Sequence, residues 1–97
     1  MPTETQLVAR IMLMLERRGA YANKNHGSPF QRLGRPDIEG CLDGSFFAFE
    51  VKLPGKKHSL TRLQVQALIE IREAGGCAEV VESVQEAEDL LRAWNLA

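Results

Sequence analysis

Asp43-Gly44 stands between two stretches that read as strands, and it constrains the fold more than any other feature of the chain. The dipeptide accepts the left-handed backbone that a two-residue hairpin turn demands. It therefore pairs Asp37 to Leu42 with Ser45 to Lys52 and sets Leu42 opposite Ser45. Continued without interruption, that register puts Asp37 opposite Glu50. The second strand carries Phe46-Phe47-Ala48-Phe49, and alternation sends Phe47, Phe49 and Val51 to one side and Glu50 and Lys52 to the other.

The remaining elements follow from capping and periodicity. Thr3-Glu4-Thr5-Gln6 has capping-box spacing ahead of Leu7, Ile11, Met14 and Leu15, which predicts a first helix to about Arg18 with Gly19 as its stop. Arg17 and Arg18 complement the negative end of its dipole. A short strand is expected from Ala20 to Lys24, then a loop through Asn25-His26-Gly27-Ser28-Pro29. Leu53-Pro54-Gly55-Lys56-Lys57-His58 reads as an exposed loop. Thr61-Arg62-Leu63-Gln64 is a second capping box, opening a helix with Leu63, Ala67, Leu68 and Ile71 on one side and Gly75-Gly76 at its end. Cys77 to Val81 is a strand, and Ser83-Val84-Gln85-Glu86 is a third capping box leading Ala87, Leu90, Leu91 and Trp94, with Trp94 expected in the core.

The order α-β-β-β-α-β-α, with a meander followed by a crossover helix, predicts an α/β class with a mixed sheet flanked by helices. The 97 residues form one domain, 1–97, since a second core could not be built from the remainder. With 44% hydrophobic and 26% charged residues the composition is that of a folded protein. The early apolar run Ile11 to Leu15 is too short to cross a bilayer, and Glu4 sits where a signal peptide is basic, so no membrane association and a cytoplasmic location are expected. Cys41 and Cys77 lie in apolar strands without metal-type spacing and are expected to be buried, inert thiols.

The net charge of −1 conceals a division along the chain. Arg17, Arg18, Lys24, Arg32 and Arg35 occur with no acid between Arg17 and Pro36, and Lys52, Lys56, Lys57 and Arg62 form a second acid-free run. Glu70, Glu73, Glu79, Glu82, Glu86, Glu88 and Asp89 face only Arg72 and Arg92 in the last third. This segregation reads either as a basic face for phosphates with an acidic back, or as solvated surface.

Two carboxylates at cross-strand distance repel and call for a cation between them. A hard, oxygen-seeking ion such as Mg²⁺ suits Asp37 and Glu50, because it takes one or two carboxylates and completes its shell with water or phosphate oxygens. Lys52 on the same face could orient or deprotonate a water for in-line attack on phosphorus. The structural alternative is a surface Asp-Glu-Lys cluster, in which the lysine compensates two acids.

Gly34-Arg35-Pro36-Asp37, the hairpin, Phe49-Glu50-Val51-Lys52, and Leu60-Thr61 with Gln64 together resemble the VRR-NUC branch of the PD-(D/E)xK nuclease superfamily, over almost the whole chain. The resemblance implies a restriction-endonuclease-like core and a stand-alone, phage-type member similar to Holliday-junction resolvases. It implies that Asp37, Glu50 and the Val51 carbonyl bind Mg²⁺, for which Mn²⁺ can substitute, and that Lys52 positions or activates water. Glu4 matches an opening-helix acid that contacts the metal through water, and Gln64 a helix glutamine near the site. Each also has a purely structural reading, as a first-turn acid and a capping-box partner. Superfamily members vary in the loop before Pro-Asp, so nothing is carried onto His26, which reads with His58 as an exposed or phosphate-contacting side chain. Lys24, Arg32, Arg35, Lys56 and Lys57 are the expected nucleic-acid contacts, gripping phosphates without reading sequence.

The function so implied is structure-selective hydrolysis of branched DNA in phage replication, recombination or repair, inside a bacterial or phage-infected host, with no small-molecule cofactor. One domain holds one site, so symmetric cutting of two strands calls for a C2 homodimer. A nick- or flap-directed endonuclease and a catalytically silent nucleic-acid-binding module are the alternatives.

Overall fold

The computed structural model describes residues 2–96. The elements are α1 (Glu4–Arg17), β1 (Tyr21–Lys24), β2 (Ile38–Leu42), β3 (Ser45–Val51), a single 3-10 turn (Lys57–Ser59), α2 (Arg62–Glu73), β4 (Cys77–Val81) and α3 (Val84–Ala93). The strands lie in the order β1-β2-β3-β4. β1/β2 and β2/β3 are antiparallel, and β4 returns parallel to β3 after α2. The α/β class and the element order expected from the sequence are those observed.

The hairpin turns at Asp43 and Gly44, both in the left-handed region at φ 52° and 81°, and sets Leu42 opposite Ser45. The ladder runs unbroken to Ile38 opposite Phe49. One face of the sheet carries Ile38, Leu42, Phe47, Phe49, Val51 and Val81, and it is sealed by Leu7, Val8, Ile11, Met14 and Leu15 of α1 and by Ala87 and Leu91 of α3. Trp94 packs there as expected, its ring stacked on Phe49 at 5.6 Å between centroids. Arg18 pairs with Glu88 at 2.8 Å, so this arginine ties α1 to α3 as well as standing at the helix end.

The other face is covered less completely. Ala48, Leu68 and Ala78 form a small second core with Ile71 beside it, because α2 lies chiefly over β3 and β4. Of the expected apolar side of α2, Ala67 and Leu68 are buried, whereas Leu63 is exposed and Ile71 half-buried. Cys41 is exposed and Cys77 half-buried, which corrects the expectation of two buried thiols. Cys41 sits on β2, on the same face as Ala48 but beyond the part that α2 covers, flanked across the ladder by the exposed Tyr21 and Phe46.

Two capping boxes form as expected, Thr3 with Gln6 and Thr61 with Gln64. The third is only half made. Ser83 Oγ accepts the Glu86 N–H at 3.0 Å, but the Glu86 carboxylate turns to the Lys57 ammonium at 2.7 Å, a stronger, charged partner than the Ser83 N–H.

Candidate metal and phosphodiester site

Pro36 lies where the β2/β3 register would set it opposite Val51, and it has no N–H to offer. Its carbonyl accepts the Asn25 Nδ2 amide at 2.6 Å. The Val51 N–H is taken instead by the Asp37 side chain, with 2.8 Å to Oδ2. Asp37 thus stands just outside β2, and its carboxylate substitutes for a missing rung. The Asn25 N–H donates to the Asp37 carbonyl at 2.7 Å, which continues the β1/β2 ladder past Lys24 and holds Asp37 from the other side.

Glu50 is the one buried charged residue among those described, at 2% exposure. Its carboxyl lies within hydrogen-bonding reach of Asp37. Burial first, and then the neighbouring Asp37, push its pKa up to about 9, with a further contribution from the charge of Glu4; Lys52 acts in the opposite direction. Its Oε2 is buried without a hydrogen-bond partner. Such an atom costs about 1–3 kcal/mol unless something else completes it. Asp37, Glu50, Lys52 and Glu4 therefore share one electrostatic environment, as the sequence predicts for the first three.

The donor set suits a hard ion that keeps several waters. Two carboxylates meet, one of them with an unsatisfied buried oxygen, while the second oxygen of Asp37 is left free of the Val51 N–H. Among the described residues no group of three or more His, Cys, Asp or Glu side chains gathers to hold an ion, so a closed zinc-type cage does not fit. Glu4 is exposed and lines a cleft of about 270 Å³ together with Lys24, Asn25, His26 and Asp37. A second cleft of about 350 Å³ also reaches Asp37, walled by the loop that joins β1 to β2.

Gln64 is less directly placed. Its Oε1 accepts the Thr61 N–H at 2.9 Å, the capping role, and leaves the amide Nε2 as its remaining donor. The turn that carries it packs on Gly34, where a Cβ would come within 2.4 Å of the Leu63 carbonyl oxygen. Gly34 also has φ +80°, so the approach of α2 to the segment leading into Asp37 depends on glycine in two ways.

The expected phosphate contacts divide. Arg32 pairs with Glu70, Arg35 with Glu39 at 2.7 Å, and Lys57 with Glu86, whose carboxylate raises the Lys57 pKa. Lys24 and Lys56 have no carboxylate partner among the described residues. His26 lines both clefts beside Asp37, and His58 is exposed in the 3-10 turn.

Two residues that sequence reasoning missed support the site from behind. Glu39 Oε1 accepts from Asn25 Nδ2 at 3.1 Å and from Arg35 Nε at 2.7 Å, binding the end of β1, the Arg35-Pro36 segment and β2 into one cluster. Only the β1/β2 register brings Asn25 to Glu39, and the long loop between the strands conceals that register.

No protein-family model matches the chain, and no curated protein matches it.

Proposed function

We propose that the chain is a divalent-metal-dependent endonuclease that hydrolyses phosphodiester bonds in branched DNA and works as a homodimer. The observation that carries this reading is the buried Glu50 carboxyl, with one unpartnered oxygen, set against Asp37. A module that only bound nucleic acid would gain nothing from desolvating an acid beside a second acid. The resemblance of Gly34-Arg35-Pro36-Asp37 and Phe49-Glu50-Val51-Lys52 to VRR-NUC nucleases supports the same reading.

In this mechanism Asp37 and Glu50, with the Val51 carbonyl, would hold Mg²⁺ or Mn²⁺. The ion supplies neutralisation of phosphoryl charge and activation of water. The Val51 N–H fixes the rotamer of Asp37, so its free oxygen is aimed before the ion arrives. Glu50 would have to be ionised to serve as a ligand, and a bound cation would supply the charge that burial withholds. Lys52 orients the attacking water and offsets developing charge on the phosphoryl oxygens. Glu4 holds a water on the open side, and the free amide of Gln64 donates to a phosphate oxygen. Lys24 and Lys56 take phosphates directly; Arg32 and Arg35 keep spare guanidinium donors beyond their ion pairs.

The test is a cleavage panel at fixed ionic strength, comparing a four-way junction, a nicked duplex, a flap and a plain duplex with Mg²⁺, Mn²⁺ or EDTA. The expected result is metal-dependent product on the junction in excess of plain duplex, lost in Asp37→Ala. Equal cleavage of all four DNAs would remove the branch selectivity, and activity in Asp37→Ala would remove the site.

A further inference from the structure

The loop between β1 and β2 contains a hydrogen-bonded turn at residues 28–31. The Gln31 N–H donates to the Ser28 carbonyl at 3.0 Å and the Phe30 N–H to Ser28 Oγ at 3.2 Å, with Pro29 supplying the fixed φ of the first corner. This turn carries Phe30 at its second corner, 96% exposed, and Leu33 follows at 74%. The ring contributes nothing to either core. Ser28 and Gln31 of the turn line the 350 Å³ cleft together with His26, Arg32, Arg35 and Asp37. The segment from Arg17 to Pro36 contains no acid. An aromatic ring therefore projects at the tip of a cationic loop whose base is the candidate catalytic carboxylate.

We infer that Phe30 is a base-stacking residue, which receives an unpaired or branch-point base of the DNA whose backbone enters the cleft at Asp37. The inference rests on the nuclease reading and names the feature of the substrate that the loop recognises. In an intact duplex every base is stacked on both faces and offers the ring no partner. At a junction, flap or single-stranded end one π-face is open, and stacking on an aromatic side chain then adds affinity without reading sequence. Phosphate contacts by Arg32 and Arg35 hold the backbone beside the ring. The loop is kept in place by the Arg32–Glu70 pair and by the packing of Gly34 on Leu63.

The test compares wild type, Phe30→Ala and Phe30→Trp for binding to single-stranded DNA, a four-way junction and a matched duplex, in Ca²⁺ at fixed ionic strength. Phe30 is exposed, so neither variant threatens the fold. The expected result is a loss of about tenfold or more in affinity for the single strand and the junction in Phe30→Ala, with the duplex unchanged. Phe30→Trp should restore binding, with its indole emission quenched by the single strand and the junction and not by the duplex. Wild-type affinity of Phe30→Ala for all three DNAs overturns the inference and leaves the ring to a protein surface. An equal loss on the duplex overturns it as well. Failure of wild type to give any Mg²⁺-dependent product in a parallel assay removes the nuclease reading, while the binding comparison still decides the role of Phe30.

Discussion

The Asp37 carboxylate is held by the Val51 N–H at 2.8 Å on one oxygen while it lies against a Glu50 carboxyl that is only 2% exposed. The first relationship fixes where Asp37 points; the second makes the metal-free site costly. The first arises because the Pro36 carbonyl is taken by Asn25, which leaves the Val51 N–H to the Asp37 side chain.

The stability of the metal-free protein should fall as pH rises. Glu50 ionises at its ordinary 4.5 in the unfolded chain and at about 9 in the fold. Between those values the native state binds the extra proton, so this contribution is complete on the acid side and is lost as pH climbs toward 9. The slope approaches about 1.4 kcal/mol per pH unit when the whole proton is involved. Urea melts at about pH 6 and about pH 8 check this, and Glu50→Gln should flatten the difference. A wild-type stability that rises over the same interval contradicts it.

Lys52→Ala should separate binding from chemistry. Lys52 lowers the Glu50 pKa, so its removal leaves the carboxyl still more reluctant to ionise, and it withdraws the amine proposed to orient water. Cleavage is expected to drop by roughly 10²–10⁴-fold with Mn²⁺ and DNA binding largely retained. A cleavage assay paired with filter binding reads both. Unchanged turnover in Lys52→Ala would assign the lysine to charge compensation alone.

Much of this arrangement was legible in the residues. Asp43-Gly44 set the register, and the register led to Asp37 beside Glu50. The depth of Glu50 was not legible, because a strand-end acid reads the same whether it is covered or open, and coverage depends on where α2 crosses. The same uncertainty hid the exposure of Cys41: alternation assigns a face but not how far a helix extends over it. The third capping box failed for a related reason, since Glu86 found Lys57 across the fold. Asn25 and Glu39 stayed invisible because neither residue is distinctive until β1 pairs with β2.

Asn25→Ala and Glu39→Gln should weaken metal binding without touching the ion. Asn25 donates to the Pro36 carbonyl at 2.6 Å and to Glu39 at 3.1 Å, and Glu39 also accepts from Arg35. Loss of either should let the Pro36-Asp37 segment shift, with metal affinity falling about 10–100-fold, the range seen when the supports of metal ligands are removed. Calorimetric titration with Mn²⁺ measures it, and Asn25→Asp should not rescue, because it removes the amide donor. Wild-type affinity in Asn25→Ala would contradict the positioning role.

Gly34→Ala should destabilise the whole fold by more than about 1 kcal/mol. The added Cβ would meet the Leu63 carbonyl oxygen at 2.4 Å, and the backbone is already at φ +80°. Thermal or urea unfolding reads the loss; a neutral effect would mean that α2 can move away from the loop freely.

The most direct measurement is Mn²⁺ binding to the wild-type protein by calorimetry in buffers of different ionisation enthalpy, beside Asp37→Asn and Glu50→Gln. The account predicts Mn²⁺ binding with release of about one proton near neutral pH, because Glu50 must ionise to take the ion. It predicts loss of binding in Asp37→Asn, and in Glu50→Gln at most a weak remnant with no proton release. Binding that is unchanged in both variants, or no binding by the wild type at millimolar Mn²⁺, would contradict it.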